Sequence, residues 1–340
     1  MRVVSSKVGI ILNPMAGRDV RRIVANAEFI SSYLKINVTK RFILGLDFVG
    51  VDEVILMPDI YGLAEEVVEE LRRRVSLKLR LIEMTSKGTV EDTVQAAKLM
   101  KASGVNLIAG FGGDGTLRAI FKGAGVIPLL GIPLGTNNVL SRSSYEPSVL
   151  GILVGFIARG IIPLHKTVIP MKVVKLYVNG GLADIALIDL AFISESFVGA
   201  KALWRMEPIK YIIYSKCEPT DVGLTSIGGN VQPITFKDDK GLLIELGPGY
   251  LHVPAVIAPG LIEKVPVKSF KTININERIE IPRGKYTIAF DGERELTVTD
   301  DVELQVEVDR SGPLLIDPQL ILNELRAQHK VIYDKIYKIS

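Results

Sequence analysis

Between Lys7 and about Gly160, short runs of Val, Ile and Leu alternate with longer segments whose apolar residues recur every three or four positions. That alternation marks βαβ units, which close onto one another around a parallel sheet with helices against its faces. "KVGIIL" reads as a buried first strand, Val20 to Tyr33 as a helix and "EVILMP" as the second strand. "GLAEEVVEELRRR" reads as a helix, "LKLRLIEM" as a strand and "TVEDTVQAAKLMKAS" as a helix with acids in its first turns. "VNLIAGF", "TLRAIFKGA" and "IPLLGIP" continue the series as strand, helix and strand. The apolar stretch Val149 to Leu164 is too short for a clean membrane span and is broken by Arg159, so it reads as a buried helix.

Past Gly160 the period changes from helical to two-residue alternation. "TVIPMKVVKLYV", "LADIALIDLAFIS", "GLLIELG", "TININERIEIP", "KYTIAFDG" and "VELQVEVD" read as strands, with "VNGGLA" a hairpin turn. A final amphipathic segment from Asp317 opens on an Asp-Pro cap signal and reads as a helix packing back on the body. At 340 residues the chain is long enough for two domains. The expected division is an α/β domain over 1–160, a β-rich domain over 161–315 and a C-terminal helix over 316–340.

Composition narrows the function classes. A net charge of +3 with scattered basic residues argues against nucleic acid as a partner. The single cysteine, Cys217, excludes an internal disulfide, and His165, His252 and His329 lack metal-ligand spacing, so no resident metal site is expected. The N-terminus has no export-signal pattern, and a cytoplasmic protein without membrane contact is the expectation. Trp204, the one tryptophan, reads as a packing anchor.

In an open parallel sheet, ligands bind where the loops leave the carboxyl ends of the strands. Three glycine-bearing loops fall at such ends: "NPMAG" from Asn13 to Gly17, "FGGDGT" from Phe111 to Thr116 and "PLGTNN" from Pro133 to Asn138. Gly112, Gly113 and Gly115 permit positive φ and a close ligand approach, and the helix that follows offers free N–H groups to phosphate. An acid in such a loop is unfavourable beside phosphate unless it binds a cation or takes a proton from an attacking hydroxyl. Asp114 is therefore the candidate catalytic carboxylate, against the plainer reading that it caps a helix beginning near Thr116. Asn13 and Gly17 form either a phosphate-facing loop or an ordinary turn. Gly135 and Thr136 offer backbone donors, and Asn137 and Asn138 offer amides that suit a ribose or base edge, or simply an asparagine-rich turn. In "FDGERE", Asp291 and Glu293 are either a turn or part of the site. Asp184 and Asp189 cannot both obey strand alternation, which points one of them at an interdomain cleft. Arg118, Lys122 and Arg142 are the nearest cations to the loops.

"GGDGT" after an apolar strand, "NPMAG" near the start and "FDGERE" after a late strand together resemble the NAD kinase and diacylglycerol kinase superfamily. The run of "GTVEDTVQAAKLM", "GTNNVL", "EPSVLGILVGFIARG", "DIALIDLAFI", "FVGAKALW", "VGLTSIGG" and "IAFDGERE" is most similar to its ATP-NAD kinase-like group containing AcoX. The resemblance implies a doubly wound, NAD kinase-like α/β domain, a β-sandwich-like second domain and a nucleotide site between them. It further implies ATP with Mg2+ as phosphate donor and NAD as the leading acceptor, with Asp114 activating the acceptor hydroxyl. Gly112, Gly113 and Thr116 would line the phosphates and Asn137 would stand near the dinucleotide. NAD kinases carry an Asn-acid pair where this chain has Asn137-Asn138, and lipid kinases read "GTGND" there. The resembling kinases are commonly homo-oligomers through their β-domains, which makes self-association an expectation. Three readings follow: a small-molecule kinase using ATP or polyphosphate, a non-catalytic nucleotide-binding accessory protein, and a lipid kinase.

Overall fold

The structure is a computed structural model and describes residues 5–18, 25–136, 138–141, 145–194 and 206–327, with Arg294 by its backbone alone. Five strands, β1 (Lys7–Leu12), β2 (Glu53–Leu56), β3 (Lys78–Leu81), β4 (Leu107–Gly112) and β5 (Pro128–Pro133), lie in the order β3-β2-β1-β4-β5. All four pairings among them are parallel. The reversal of direction between β1 and β4 opens a crevice at their carboxyl ends, the position where doubly wound sheets bind ligands.

Alternation along the strands feeds two cores. Ile10 and Leu12 face α1 (Ser32–Phe48), α2 (Leu63–Leu71) and, further along the chain, α5 (Pro147–Ala158). Ile11 and Ile108 face α3 (Val90–Ala102) and α4 (Asp114–Ala124) on the opposite side. The apolar stretch expected to be a buried helix is α5, which crosses α1 so closely that Gly45 and Gly151 meet the other helix's backbone. Among the described residues no helix is long and apolar enough to cross a membrane.

The expected helix over Val20 to Tyr33 is corrected. Residues 25–31 are not helical and 19–24 lie outside the described residues. The helix is α1, starting at Ser32, because the Ser31 hydroxyl caps it by accepting the Leu34 N–H at 3.1 Å.

The second half is β-rich as expected. After the short strand β6 (Val168–Pro170) come β7 (Val173–Val178), β8 (Gly181–Ala186), β9 (Asp189–Ile193) and β10 (Ile209–Tyr214). Beyond α6 (Leu224–Val231) follow β11 (Lys240–Ala258), β12 (Leu261–Asn274), β13 (Arg278–Ile281), β14 (Tyr286–Phe290), β15 (Glu293–Val298) and β16 (Leu304–Asp309). They build a six-stranded sheet, β12-β11-β10-β9-β14-β15, and a four-stranded sheet, β13-β16-β7-β8. Leu190, Phe192, Ile288 and Phe290 of the larger sheet pack on Leu176, Val306 and Val308 of the smaller, giving a sandwich core. The hairpin read at "VNGGLA" joins β7 to β8, with Asn179 and Gly180 both at positive φ.

The chain then returns. β17 (Leu314–Ile316) pairs parallel with β5 and antiparallel with β6, so both short strands belong to the first sheet. Asp317 accepts the Gln319 N–H at 2.8 Å and so opens α7 (Pro318–Ala327), whose Ile321 enters the first domain's core. Residues 328–340 and Trp204 lie outside the described residues.

Candidate functional site

The three glycine loops meet at the carboxyl edge of the first sheet. Asn13 continues β1 by donating its backbone N–H to the Phe111 carbonyl of β4 at 3.0 Å. Its side-chain oxygen accepts the Met15 N–H, and its amide donates to the Thr116 hydroxyl at 2.9 Å. Gly17 takes φ +68, where a side chain would be strained and would also press on the Leu134 carbonyl. A Cβ on Gly135 would lie 2.7 Å from the Gly113 Cα. Backbone contact of that kind is available only to glycine.

The glycines of "GGDGT" do not supply unusual dihedral angles, which corrects the expectation of positive φ; Gly112 and Gly113 serve close packing instead. None of Gly112, Gly113 and Gly115 adopts positive φ, and Gly113 caps α4 at φ −98. A Cβ at Gly112 would stand 2.3 Å from the Thr116 hydroxyl oxygen. α4 therefore begins at Asp114 rather than near Thr116, and the Asp114 side chain makes no cap to its own helix. Instead its two carboxylate oxygens accept the N–H groups of Val139 and Leu140, each at 2.9 Å. The acid thus ties the loop after β5 to the first turn of α4.

A cavity of about 360 Å³ lies in front of these loops, within the size range of about 300–1,000 Å³ that small-molecule sites occupy. Gly113, Asp114, Gly115 and Thr116 form its floor. Asn13, Gly17, Gly135 and Thr136 add the neighbouring loops. Asp189, Asp291, Gly292 and Glu293 close it from the β-rich domain. Gly112 and Asn138 do not line it: Gly112 ends β4, and the Asn138 amide is spent on the Gly135 backbone, accepting its N–H at 3.2 Å and donating to its carbonyl at 2.8 Å. Asn137 lies outside the described residues.

Asp291 sits at φ +50 in the β14–β15 turn. Its carboxylate accepts N–H groups from Leu187 at 3.1 Å, Ile188 at 2.8 Å and Asp189 at 3.4 Å. Of the paired acids on "LADIALIDL", Asp189 is the one that faces the cleft. Asp184 turns to Lys122 at 2.9 Å, and Lys122 does not line the cavity. Arg142 is outside the described residues.

Burial dominates the electrostatics. Asp114 is 6% exposed, and desolvation pushes its pKa up to about 7 against the pull of the Val139 and Leu140 N–H groups. The Asp291 charge pushes in the same direction, and the Lys216 ammonium opposes it. Burial raises Asp291 as well, opposed by Arg118 and by the three amides. Behind the first loop, Lys35 is fully buried and donates to the Pro14 carbonyl at 2.5 Å; burial lowers its pKa to about 8, with Arg18 pushing the same way.

Several wall residues are given no site role by the linear reading. Arg18 directly follows Gly17, donates to Ser32 at 2.8 Å and lies over the Tyr61 ring at 5.7 Å. Asp59 and Tyr61 stand just beyond β2, and strand-end position is the signal that finds them. Val222 to Thr225, leading into α6, open the "VGLTSIGG" stretch that carries the family resemblance, and the fold alone brings them to the cavity wall.

The described residues contain no group of three His, Cys, Asp or Glu side chains arranged to hold a metal ion.

Residues 8–160 match the ATP-NAD kinase N-terminal domain, and residues 172–311 match the acetoin catabolism protein X C-terminal domain. The chain is 35% identical over 311 residues to acetoin catabolism protein X of Cupriavidus necator, covering 88% of this chain and 86% of that protein. A solved structure from Bacillus anthracis str. Sterne described as a diacylglycerol kinase is 16% identical, covers 92% of this chain and 97% of its own, and superposes with a TM-score of 0.43. A second from the same strain, named as a candidate for that activity, has the same identity and coverage and a TM-score of 0.48. A kinase-type α/β half joined to this particular β-rich half, in a sequence a third identical to the Cupriavidus protein along nearly its whole length, has one consequence: the chain belongs to the acetoin catabolism protein X family.

Proposed function

We propose that the protein is a phosphotransferase that moves a phosphoryl group from ATP or polyphosphate, with Mg2+ as part of the donor, to a hydroxyl acceptor, NAD first among candidates. The observation that carries this reading is Asp114: a buried carboxylate with a pKa near 7, at the first turn of α4, on the wall of a cavity between two domains. A general base works best when its pKa lies near the operating pH. The helix start and the Gly113 to Thr116 backbone suit the donor phosphates. In the proposed step the acceptor oxygen bonds to the terminal phosphorus, the bond from that phosphorus to the bridging oxygen breaks, the shortened donor leaves and the hydroxyl proton passes to Asp114. Such chemistry rests on positioning and charge more than on covalent help. Gly112 supports this floor from behind, Asn138 ties down the loop bearing Gly135 and Thr136, and Asp291 and Glu293 form the facing wall.

The test is incubation with ATP, Mg2+ and NAD and measurement of NADP. Asp114→Asn should lower the rate by about 10²-fold or more, the scale of a lost general base. Absence of turnover by the wild type with NAD and with other hydroxyl acceptors, alongside nucleotide binding, would sink the enzymatic reading.

That outcome would favour an accessory nucleotide-binding protein. One observation supports this second reading: Asp114 and Asp291 both use their oxygens on backbone N–H groups, as purely architectural acids do. A cytoplasmic setting and self-association belong to the proposal too, checked by cell fractionation and light scattering.

A further inference from the structure

Arg118 stands one helical turn after Asp114 on α4, so the two side chains share a face of the helix. An arginine on the wall of a phosphate-sized cavity invites assignment as a phosphate clamp. Its surroundings say otherwise. The side chain is 4% exposed and reaches out of the first domain into the second. One terminal nitrogen donates to the Ile185 carbonyl at 3.3 Å and lies 3.6 Å from Asp184. The other bonds Glu295, and Nε lies 3.5 Å from Asp291. The guanidinium carbon sits 5.1 Å from the centre of the Phe290 ring. Asp184, Ile185, Phe290, Asp291 and Glu295 all belong to β8, β14, β15 and their turns.

We infer that Arg118 is a positioning residue, an interdomain strut that fixes the β-rich wall of the cavity opposite Asp114. The route is short. Arg118 neutralises Asp291, Asp291 accepts the N–H groups of Leu187, Ile188 and Asp189, and Ile188 and Asp189 are cavity wall. Because Arg118 and Asp114 lie on one rigid helix turn, whatever holds the first sets the wall's distance from the second. A buried carboxylate that loses its counter-charge is strongly unfavourable, so the wall relaxes if the strut is cut. Lysine does not substitute, since a single ammonium cannot span three carboxylates and stack on a ring.

The catalytic part of this inference rests on the phosphotransfer reading; the strut itself does not, and the experiment separates them. Arg118→Met keeps apolar contact with Phe290 and removes the charge, and Arg118→Lys is the milder variant if the first fails to fold. Amide hydrogen exchange of the full chain should show Leu187, Ile188 and Asp189 losing protection by about tenfold or more in either variant, with Ile108 to Phe111 of β4 unchanged. In turnover with ATP, Mg2+ and NAD, kcat should fall by about tenfold or more while KM for ATP stays within about threefold, because the wall and not the phosphate floor has moved. Unchanged exchange at 187–189 overturns the strut whether or not the wild type turns over. A rise in KM for ATP with kcat intact overturns positioning in favour of a phosphate clamp.

Discussion

The side-chain amide of Asn13 donates a 2.9 Å hydrogen bond to the hydroxyl of Thr116, joining the loop that leaves β1 to the first turn of α4 across 103 residues of sequence. Asn13 also accepts the Met15 N–H, so one side chain orders two of the cavity's loops. Asn13→Ala removes both bonds, each worth about 0.5–1.5 kcal/mol. ADP binding, measured calorimetrically with Mg2+ present, is expected to weaken by about 5- to 150-fold. Unaltered affinity would show that these loops do not touch the nucleotide.

The titration of Asp114 gives opposite signs for activity and stability. Its pKa is raised from 3.8 to about 7, so the folded protein holds that proton more tightly than the unfolded chain does. The group's stabilising contribution is full below about pH 3.8 and is lost as pH rises through about 7. A base must be ionised, so kcat/KM should fall about tenfold per pH unit below pH 7. Wild type should lose stability relative to Asp114→Asn as pH is raised from 4 to 8, read as the difference in Tm. A trend of the reverse sign would contradict the burial of this carboxylate.

Gly135→Ala probes the contact between the second and third loops. Its Cβ would lie 2.7 Å from the Gly113 Cα and 2.8 Å from the Asn138 side-chain oxygen. Overpacking of this kind costs about 1–3 kcal/mol. Urea denaturation should register that loss, and ADP affinity should fall with it because the floor bearing Asp114 is pushed aside.

Gly45→Ala and Gly151→Ala form the control for damage away from the site. A Cβ at Gly45 would meet the Ser148 carbonyl at 2.1 Å, and one at Gly151 the Phe42 carbonyl at 2.1 Å, forcing α1 and α5 apart. Each is expected to destabilise by about 1–3 kcal/mol or more in denaturant titration. KM for ATP should remain at its wild-type value, since neither helix crossing lines the cavity.

Where side chains follow their element's period, the sequence is legible. β1, β2, β4 and β5 are near-continuous apolar runs because both faces of a parallel sheet are covered. α1 escapes a linear reading for the opposite reason. Its inner face carries Lys35 and Thr39, both fully buried, which break the apolar stripe. They are tolerated inside because Lys35 bonds the Pro14 carbonyl and Thr39 the Lys35 carbonyl, and only the folded chain brings the first of those partners near. Arg118 and Lys122 read as free cations for a similar reason, since the acids that occupy them lie at least 62 residues further along.

Read alone, the sequence determined that three glycine loops leave the carboxyl ends of parallel strands and that the second of them carries an acid. Strand period and loop position are local properties, and they suffice for that much. The tertiary structure alone decided what the acid is. Val139 and Leu140 grip its oxygens, Asp291 faces it from a turn 177 residues away, and the wall they complete excludes the water that would otherwise hold its pKa near 3.8. Desolvation and charge act through space, so Asp114 owes its basicity to residues that the linear order keeps far from it.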